Sequence, residues 1–276
     1  MLKLIVCIKQ IPMVSELPWD SRTGTLKREM AEGMMNPACK HALEAALRIK
    51  REYGGHITAM TMGPPMAAEV LYEALTLGAD RGVLLTDKQM AGADTMITSF
   101  TIARAIEKEC PEFDLVICGS QTADSETAQV GPQLAEELNI PCAAYIESLE
   151  CKDKCLRMTR LSDDFLETLE MDLPGLVTIT TRQFRPRYAT LSGLEEAFQF
   201  SGITTLNAAD LGLSPEQIGM KASPTRILDV FSSTAEKKNH VMTGAVKKIL
   251  EEVFEKFGDK IGSAMEKDLK THEHSD

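Results

Sequence analysis

The chain has 276 residues, 43% of them hydrophobic and 26% charged, enough apolar material to bury a sizeable core and to exclude disorder as the default state. Lys and Arg total 30 against 41 Asp and Glu, a formal net charge of -11; that field repels a phosphate backbone, so no nucleic-acid partner is expected. No apolar run approaches the roughly 20 residues of a membrane helix, and residues 4–8 are too short for a signal-peptide core, so a cytoplasmic protein with no membrane association is expected.

Cys7, Cys39, Cys110, Cys118, Cys142, Cys151 and Cys155 form an odd set without regular spacing, which predicts reduced thiols rather than a disulfide framework. Only Cys151 and Cys155 have ligand-like spacing. Cys142 brings neither a His nor a fourth Cys to them, so no metal site is expected.

Residues 2–8 are an apolar run broken only by Lys3, the pattern of a strand buried on both faces of a parallel sheet. Beyond Pro12 the chain turns polar, and residues 19–26 carry the turn residues of a surface hairpin or ordered loop. Asn36-Pro37 predicts a helix start. Asn at the cap accepts an orphan N–H, Pro fits the first turn, and Ala42, Ala45, Ala46 and Ile49 share one face before Gly54-Gly55 stops the helix. The alternation repeats: a strand at 57–62, a helix at 65–77 closed by Gly78, a strand after Gly82, a helix at 94–108, a strand at 114–118 and a helix at 127–138. This βαβ grammar predicts a doubly wound, mostly parallel α/β sheet, with ligands bound beyond the carboxyl ends of its strands.

From about residue 146 the pattern shortens to strands at 156–161, 165–171 and 176–180, expected to extend the sheet in antiparallel fashion. Residues 192–233, punctuated by Gly, Ser and Pro, are expected to form an extended arm. Val246, Ile249, Leu250, Val253 and Phe257 then fall at helical spacing and predict a terminal amphipathic helix. The expected organisation is therefore an α/β nucleotide-binding domain at 1–191, followed at 192–276 by an arm and a helix that dock on a partner subunit.

The chain contains no GxGxxG, Walker A, HExxH or GxSxG motif, which removes the commonest dinucleotide, NTPase, protease and esterase signatures. His41, His56, His240, His272 and His274 neighbour no nucleophile in a short motif, so no catalytic residue is assigned. The informative segment is residues 119–132, which leaves a buried strand and enters a helix. Small and hydroxyl residues let the backbone approach a ligand, and the helix start offers unpaired N–H groups to a pyrophosphate. An ordinary capped βα loop would have the same spacing, and both readings stand on the pattern alone. Cys7, Asn36, Cys39 and Met62 fall at the same end of the predicted sheet. Cys39 opens a helix, yet no acid–base partner lies near it in sequence, so packing is expected rather than attack.

Ile8-Lys9-Gln10-Ile11-Pro12, Asn36-Pro37, Met62-Gly63-Pro64, Leu77-Gly78-Ala79-Asp80-Arg81, residues 114–132, Leu173-Pro174 and Pro186-Arg187-Tyr188-Ala189-Thr190-Leu191 together resemble the β subunit of an electron-transfer flavoprotein, in order along nearly the whole chain. The resemblance implies a Rossmann-like, adenine-nucleotide α-hydrolase-like fold. It also implies pairing with an α subunit that carries a redox FAD. Nucleotide contacts carry over by resemblance to Cys7, Asn36, Cys39, Met62, Gln121, Thr122, Ala123, Asp124, Ser125, Glu126, Thr127, Ala128, Gln129, Val130, Gly131, Pro132 and Thr225. The runs at 127–132 and 223–225 are similar to the electron-bifurcating branch, which implies FAD at this site; AMP is the alternative. NADH would then be the donor, with an acyl-CoA dehydrogenase-type flavoenzyme and ferredoxin or flavodoxin as acceptors. Leu191 resembles the apolar anchor that docks into the dehydrogenase, although by itself an isolated leucine reads as a buried turn residue. A stand-alone nucleotide-sensing regulatory protein of the same architecture is the alternative from another class.

Overall fold

The computed structural model describes residues 1–13, 19–20, 25–26, 33–152, 154–199, 202–225 and 241–272. The chain divides into two compact units, Met1–Arg226 and Ile227–Asp276. In the first unit β1 (Leu2–Cys7), β2 (Gln10–Pro12), β3 (Trp19–Asp20), β4 (Thr25–Leu26) and β5 (Gly33–Met35) lead into α1 (Pro37–Tyr53). There follow β6 (Gly55–Met62), α2 (Ala68–Leu77), β7 (Arg81–Leu85), α3 (Thr95–Glu109), β8 (Leu115–Gly119) and α4 (Val130–Glu137). The unit continues with β9 (Cys142–Lys152), β10 (Cys155–Ser162), β11 (Phe165–Asp172), β12 (Gly175–Ile179), α5 (Leu191–Gln199), β13 (Ile203–Leu206) and α6 (Gly219–Ala222). In the second unit α7 spans Val246–His272.

Among the described residues the main sheet has nine strands, in the order β11-β10-β9-β12-β8-β1-β6-β7-β13. From β9 to β13 the neighbours are parallel, while β10 and β11 add an antiparallel extension. β1 is central because both of its faces are covered: Leu4 and Val6 pack with α1 and α2 residues, and Ile5 packs with those of α3 and α4. Burying such side chains contributes about 1.5–3 kcal/mol each. The chain leaves β1 toward β6 and β7 and later returns to the other side of β1 as β8. The topological switch therefore lies between the carboxyl ends of β1 and β8, where open α/β sheets form their crevice. Gly119 closes β8 against α1; a Cβ there would stand 2.8 Å from the Ala38 carbonyl carbon and 2.9 Å from the Cys39 nitrogen, so the close approach requires glycine.

Four features depart from the pattern read in the sequence. β12 does not join the antiparallel extension but runs parallel between β9 and β8, since an apolar run specifies burial and not its neighbour. The helix expected at 127–138 starts only at Val130, because Glu126 and Ala128 have positive φ (51° and 55°) and interrupt any helical turn. Residues 192–225 do not stand apart from the first unit: β13 pairs in parallel with β7 and extends its edge. Asn36 does precede α1, but its side chain makes no capping bond. Part of the expected hairpin at 19–26, and the arm beyond residue 225 as far as 240, lie outside the described residues.

In the second unit, Val246, Leu250 and Phe254 of α7 are exposed and share one face at four-residue spacing. No helix among the described residues is long and apolar enough to cross a membrane.

Candidate functional site

The crevice between β1 and β8 is built around Asn36. It is 1% exposed, and its carboxamide reaches across the crevice instead of capping α1. Nδ2 donates to the Gln121 carbonyl at 2.9 Å, and Oδ1 accepts from the Ala123 backbone N at 3.0 Å. The same Nδ2 donates to Cys39 Sγ at 3.4 Å. An amide suits this place because it offers a donor and an acceptor to two backbone groups of opposite kind. On its other side, the Asn36 backbone N donates to the Lys9 carbonyl at 2.9 Å. Lys9 Nζ in turn reaches both Asp124 oxygens, at 2.7 and 3.0 Å. The loop after β8 is thereby held at Gln121, Ala123 and Asp124.

Within the loop the Glu126 backbone N donates to the Thr122 carbonyl at 2.8 Å, and the Thr122 and Ser125 hydroxyls are 2.9 Å apart. Positive φ at Glu126 and Ala128, not at Ser125, shapes the next turn. Gln129 precedes α4 without a side-chain capping bond, and its Oε1 accepts from Thr95 Oγ1 at 2.9 Å. Residues 123–127 are exposed, so the loop presents its edge to solvent. Cys7 and Cys118 are register partners on β1 and β8. Cys7, Met62 and Val130 pack against one core cluster at this end of the sheet. Thr225 connects to this group through Asp94, which precedes Thr95.

The electrostatics favour binding over nucleophilic attack. Burial pushes the Cys39 thiol up, and the Cys7 thiol together with burial pushes the Cys118 thiol well above its ordinary value, so both stay protonated at neutral pH. Burial works against ionisation of Asp124, but the Lys9 ammonium and the Thr122 hydroxyl outweigh it and hold the carboxyl below the usual carboxylate range. Asp124 is thus neutralised by its own partner, while the exposed Glu126 carboxylate has no ion pair among the described residues. Two buried hydroxyls, Thr61 Oγ1 in β6 and Thr180 Oγ1 just after β12, have no hydrogen-bond partner among the described residues. The first-turn amides of α4 also lack helical acceptors.

Leu191 lies elsewhere, at the start of α5. Here the structure differs from the buried-turn reading: Leu191 is 87% exposed and Tyr188 90%. The segment before them is pinned by Arg187, whose Nε and Nη2 donate to the Glu44 carboxylate of α1 at 2.7 and 3.1 Å. Arg48 Nε donates to the same carboxylate at 3.1 Å, and its guanidinium lies over the Phe184 ring, 5.4 Å from the centroid. On the far side Thr190 Oγ1 accepts from the Gly193 backbone N at 3.1 Å. Local sequence patterns do not mark Lys9 as a contact, nor Glu44, Asp94, Thr95 or Tyr188. Of these only Asp94-Thr95 has a local signature, the acidic cap ahead of a helix.

A family model described as electron transfer flavoprotein domain matches residues 23–210. The chain is 42% identical over 244 residues to the caffeyl-CoA reductase-Etf complex subunit CarD of Acetobacterium woodii, covering 88% of this chain and 92% of the relative. It is 37% identical over 259 residues to the electron transfer flavoprotein subunit beta of Thermoanaerobacterium thermosaccharolyticum, covering 94% and 99%. The chain belongs to the electron transfer flavoprotein β-subunit family. Another relative of this β-subunit-type chain is the acryloyl-CoA reductase electron transfer subunit gamma of Anaerotignum propionicum, at 35% identity over 265 residues and 94% and 99% coverage. The family is one of flavin-associated electron carriers, and the donors gathered at the carboxyl ends of β1 and β8 suit an anionic group such as a nucleotide phosphate. The crevice combines a solvent-facing loop whose Asp124 is paired with Lys9, helix-start amides without helical acceptors and, among the described residues, two unpartnered hydroxyls at the same end of the sheet.

Proposed function

We propose that this chain is the β subunit of a heterodimeric electron-transfer flavoprotein and holds FAD in the crevice between β1 and β8. In this reading NADH supplies electrons that divide between two routes. One leads through the α-subunit FAD to an acyl-CoA dehydrogenase-type flavoenzyme, the other to ferredoxin or flavodoxin. The supporting observation is the Asn36 carboxamide, which joins the start of α1 to Gln121 and Ala123 beside the topological switch. Bound flavin supplies the redox chemistry. The protein's residues bind and orient: the 121–132 loop and first-turn amides of α4 take the diphosphate, Cys7, Cys39 and Met62 pack against the ligand, and Lys9 keeps Asp124 from opposing it. The exposed face of α7 is assigned to the α subunit. Kinship with subunits of two CoA-ester reductase complexes supports the choice of dehydrogenase-type partner.

Counting flavin and AMP released on denaturing the chain purified with its α subunit tests the cofactor assignment. FAD at both sites without AMP is expected. A single FAD with one AMP would replace it by the AMP-holding carrier, and adenylate binding by this chain alone, with no α subunit and no flavin, would replace it by the nucleotide sensor.

Tyr188 and Leu191 project from a segment tied to α1 through Arg187 and turned locally by the Thr190 hydroxyl, as befits a docking anchor. Leu191→Ala is expected to lower dehydrogenase turnover at limiting dehydrogenase by about tenfold or more. NADH-driven flavin reduction should be unchanged, and stability should stay within about 0.5 kcal/mol. Equal loss of both activities removes the docking assignment.

A further inference from the structure

The segment around α6 is fastened to the turn ahead of α3 by a set of bonds centred on Asp94. Asp94 Oδ1 accepts from the Ile97 backbone N at 3.0 Å and so caps α3. Its Oδ2 accepts twice from one residue, from the Thr225 backbone N at 3.0 Å and from Thr225 Oγ1 at 2.7 Å. The Asp94 backbone N donates to Ser223 Oγ at 2.9 Å, and that buried hydroxyl donates to the Gly219 carbonyl, also at 2.9 Å. Gly219 has φ +63°, and a Cβ there would fall 2.0 Å from the Gln89 carbonyl oxygen, so only glycine permits the approach. The next residue, Thr95, donates from Oγ1 to Gln129 Oε1 at the end of the crevice loop. Thr225, Asp94, Thr95 and Gln129 thus form an unbroken connection from the α6 segment to the loop.

A helix cap needs only one acceptor, and a neutral Asn or Ser supplies it. The second oxygen of Asp94 is surplus to that duty and is committed wholly to Thr225. Burial opposes ionisation of this carboxyl, but the bonds from Ile97 and Thr225 outweigh it and hold the group below the usual carboxylate range. It is therefore an anion at neutral pH, able only to accept, as all three of its donors require.

We propose that Asp94 is a positioning residue that couples the α6 segment to the crevice loop, so that holding an adenine nucleotide in the loop and holding residues 219–225 in place stabilise each other. This rests on the crevice being the nucleotide site. Coupling free energies are reciprocal. Nucleotide therefore slows amide exchange at 219–225, and release of Thr225 weakens nucleotide binding.

The test uses the full chain with its α subunit, stripped of β-site nucleotide and titrated separately with FAD and AMP. Hydrogen exchange is followed at residues 219–225. Asp94→Asn keeps a neutral cap acceptor for α3 but surrenders the second anionic oxygen. Thr225→Val removes only the hydroxyl bond, and Thr225→Ser restores it. Both Asp94→Asn and Thr225→Val are expected to weaken whichever nucleotide the wild type binds by about tenfold and to abolish the nucleotide-dependent slowing of exchange, with Thr225→Ser restoring both. Wild type that binds while Asp94→Asn and Thr225→Val bind equally well, or whose 219–225 amides ignore the nucleotide, overturns the coupling alone. Wild type that binds neither FAD nor AMP at the 121–132 loop overturns the crevice assignment and this proposal with it.

Discussion

Asn36→Ala is expected to reduce nucleotide affinity by up to about 100-fold, a change worth about 2–3 kcal/mol. The alanine leaves the Gln121 carbonyl and the Ala123 N–H without the partner that fixes their spacing. Each buried hydrogen bond of this kind contributes about 1 kcal/mol, and a partner left unpaired costs about 1–3 kcal/mol. The loop can recover part of this by turning its backbone to water. The bound conformation is then a minority state, and apparent affinity falls by the fraction that remains competent. Asn36→Asp gives the second reading: it keeps the acceptor for Ala123 N, loses the donor to Gln121 and adds an anion where phosphates would approach. Titration calorimetry with FAD and AMP measures both variants, and their melting temperatures separate a local change from global unfolding. Affinity within about threefold of wild type for both variants would remove Asn36 from the site.

Glu44→Ala is expected to destabilise the first unit by about 2–3 kcal/mol. Breaking a buried pair by deleting one partner costs about 3–5 kcal/mol when the remaining charge stays buried. Here the Glu44 carboxylate is 7% exposed while Arg187 and Arg48 are 38% and 41% exposed, so the orphaned guanidinium groups can reach water and the cost falls below that range. The sign of the pH dependence follows from the carboxyl. Burial would raise it, but Arg187 and Arg48 outweigh burial and hold it below the ordinary carboxylate value. The stabilisation is therefore fully present above the unfolded-state value of about 4.3 and is lost as pH falls through the lower folded value. In urea denaturation from pH 7 to pH 3, the gap between wild type and Glu44→Gln should be constant down to about pH 4.5 and then narrow. A gap that widens on acidification would contradict the ion pair. Glu44→Ala should also free the segment that carries Tyr188 and Leu191, and so weaken docking without touching either side chain.

Much of this architecture was legible because parallel strands buried on both faces read as continuous apolar runs, and β1, β6 and β8 carry that pattern openly. The loop at 121–132 was legible as a place, since a polar segment between a buried strand and a helix marks the carboxyl edge of such sheets. Its conformation was not. Positive φ at Glu126 and Ala128 falls on non-glycine residues that do not advertise it, and the helix starts only at Val130. Asn36 carried a capping signature and spends its side chain on residues 85 and 87 positions away. Leu191 looked like core in isolation, and only the resemblance to a docking anchor pointed outward.

Composition, apolar periodicity and cap residues by themselves determined a doubly wound sheet with a polar loop at the carboxyl end of β8, because those signals act over a few neighbouring residues. Only the tertiary structure decided that β12 slots in parallel beside β8 and that β13 binds the α6 segment's approach to the first unit. It likewise decided which partners Asn36, Glu44 and Asp94 take. A buried polar side chain must satisfy its donors and acceptors wherever the fold brings matching groups, and that pairing is a property of three-dimensional proximity that no local pattern encodes.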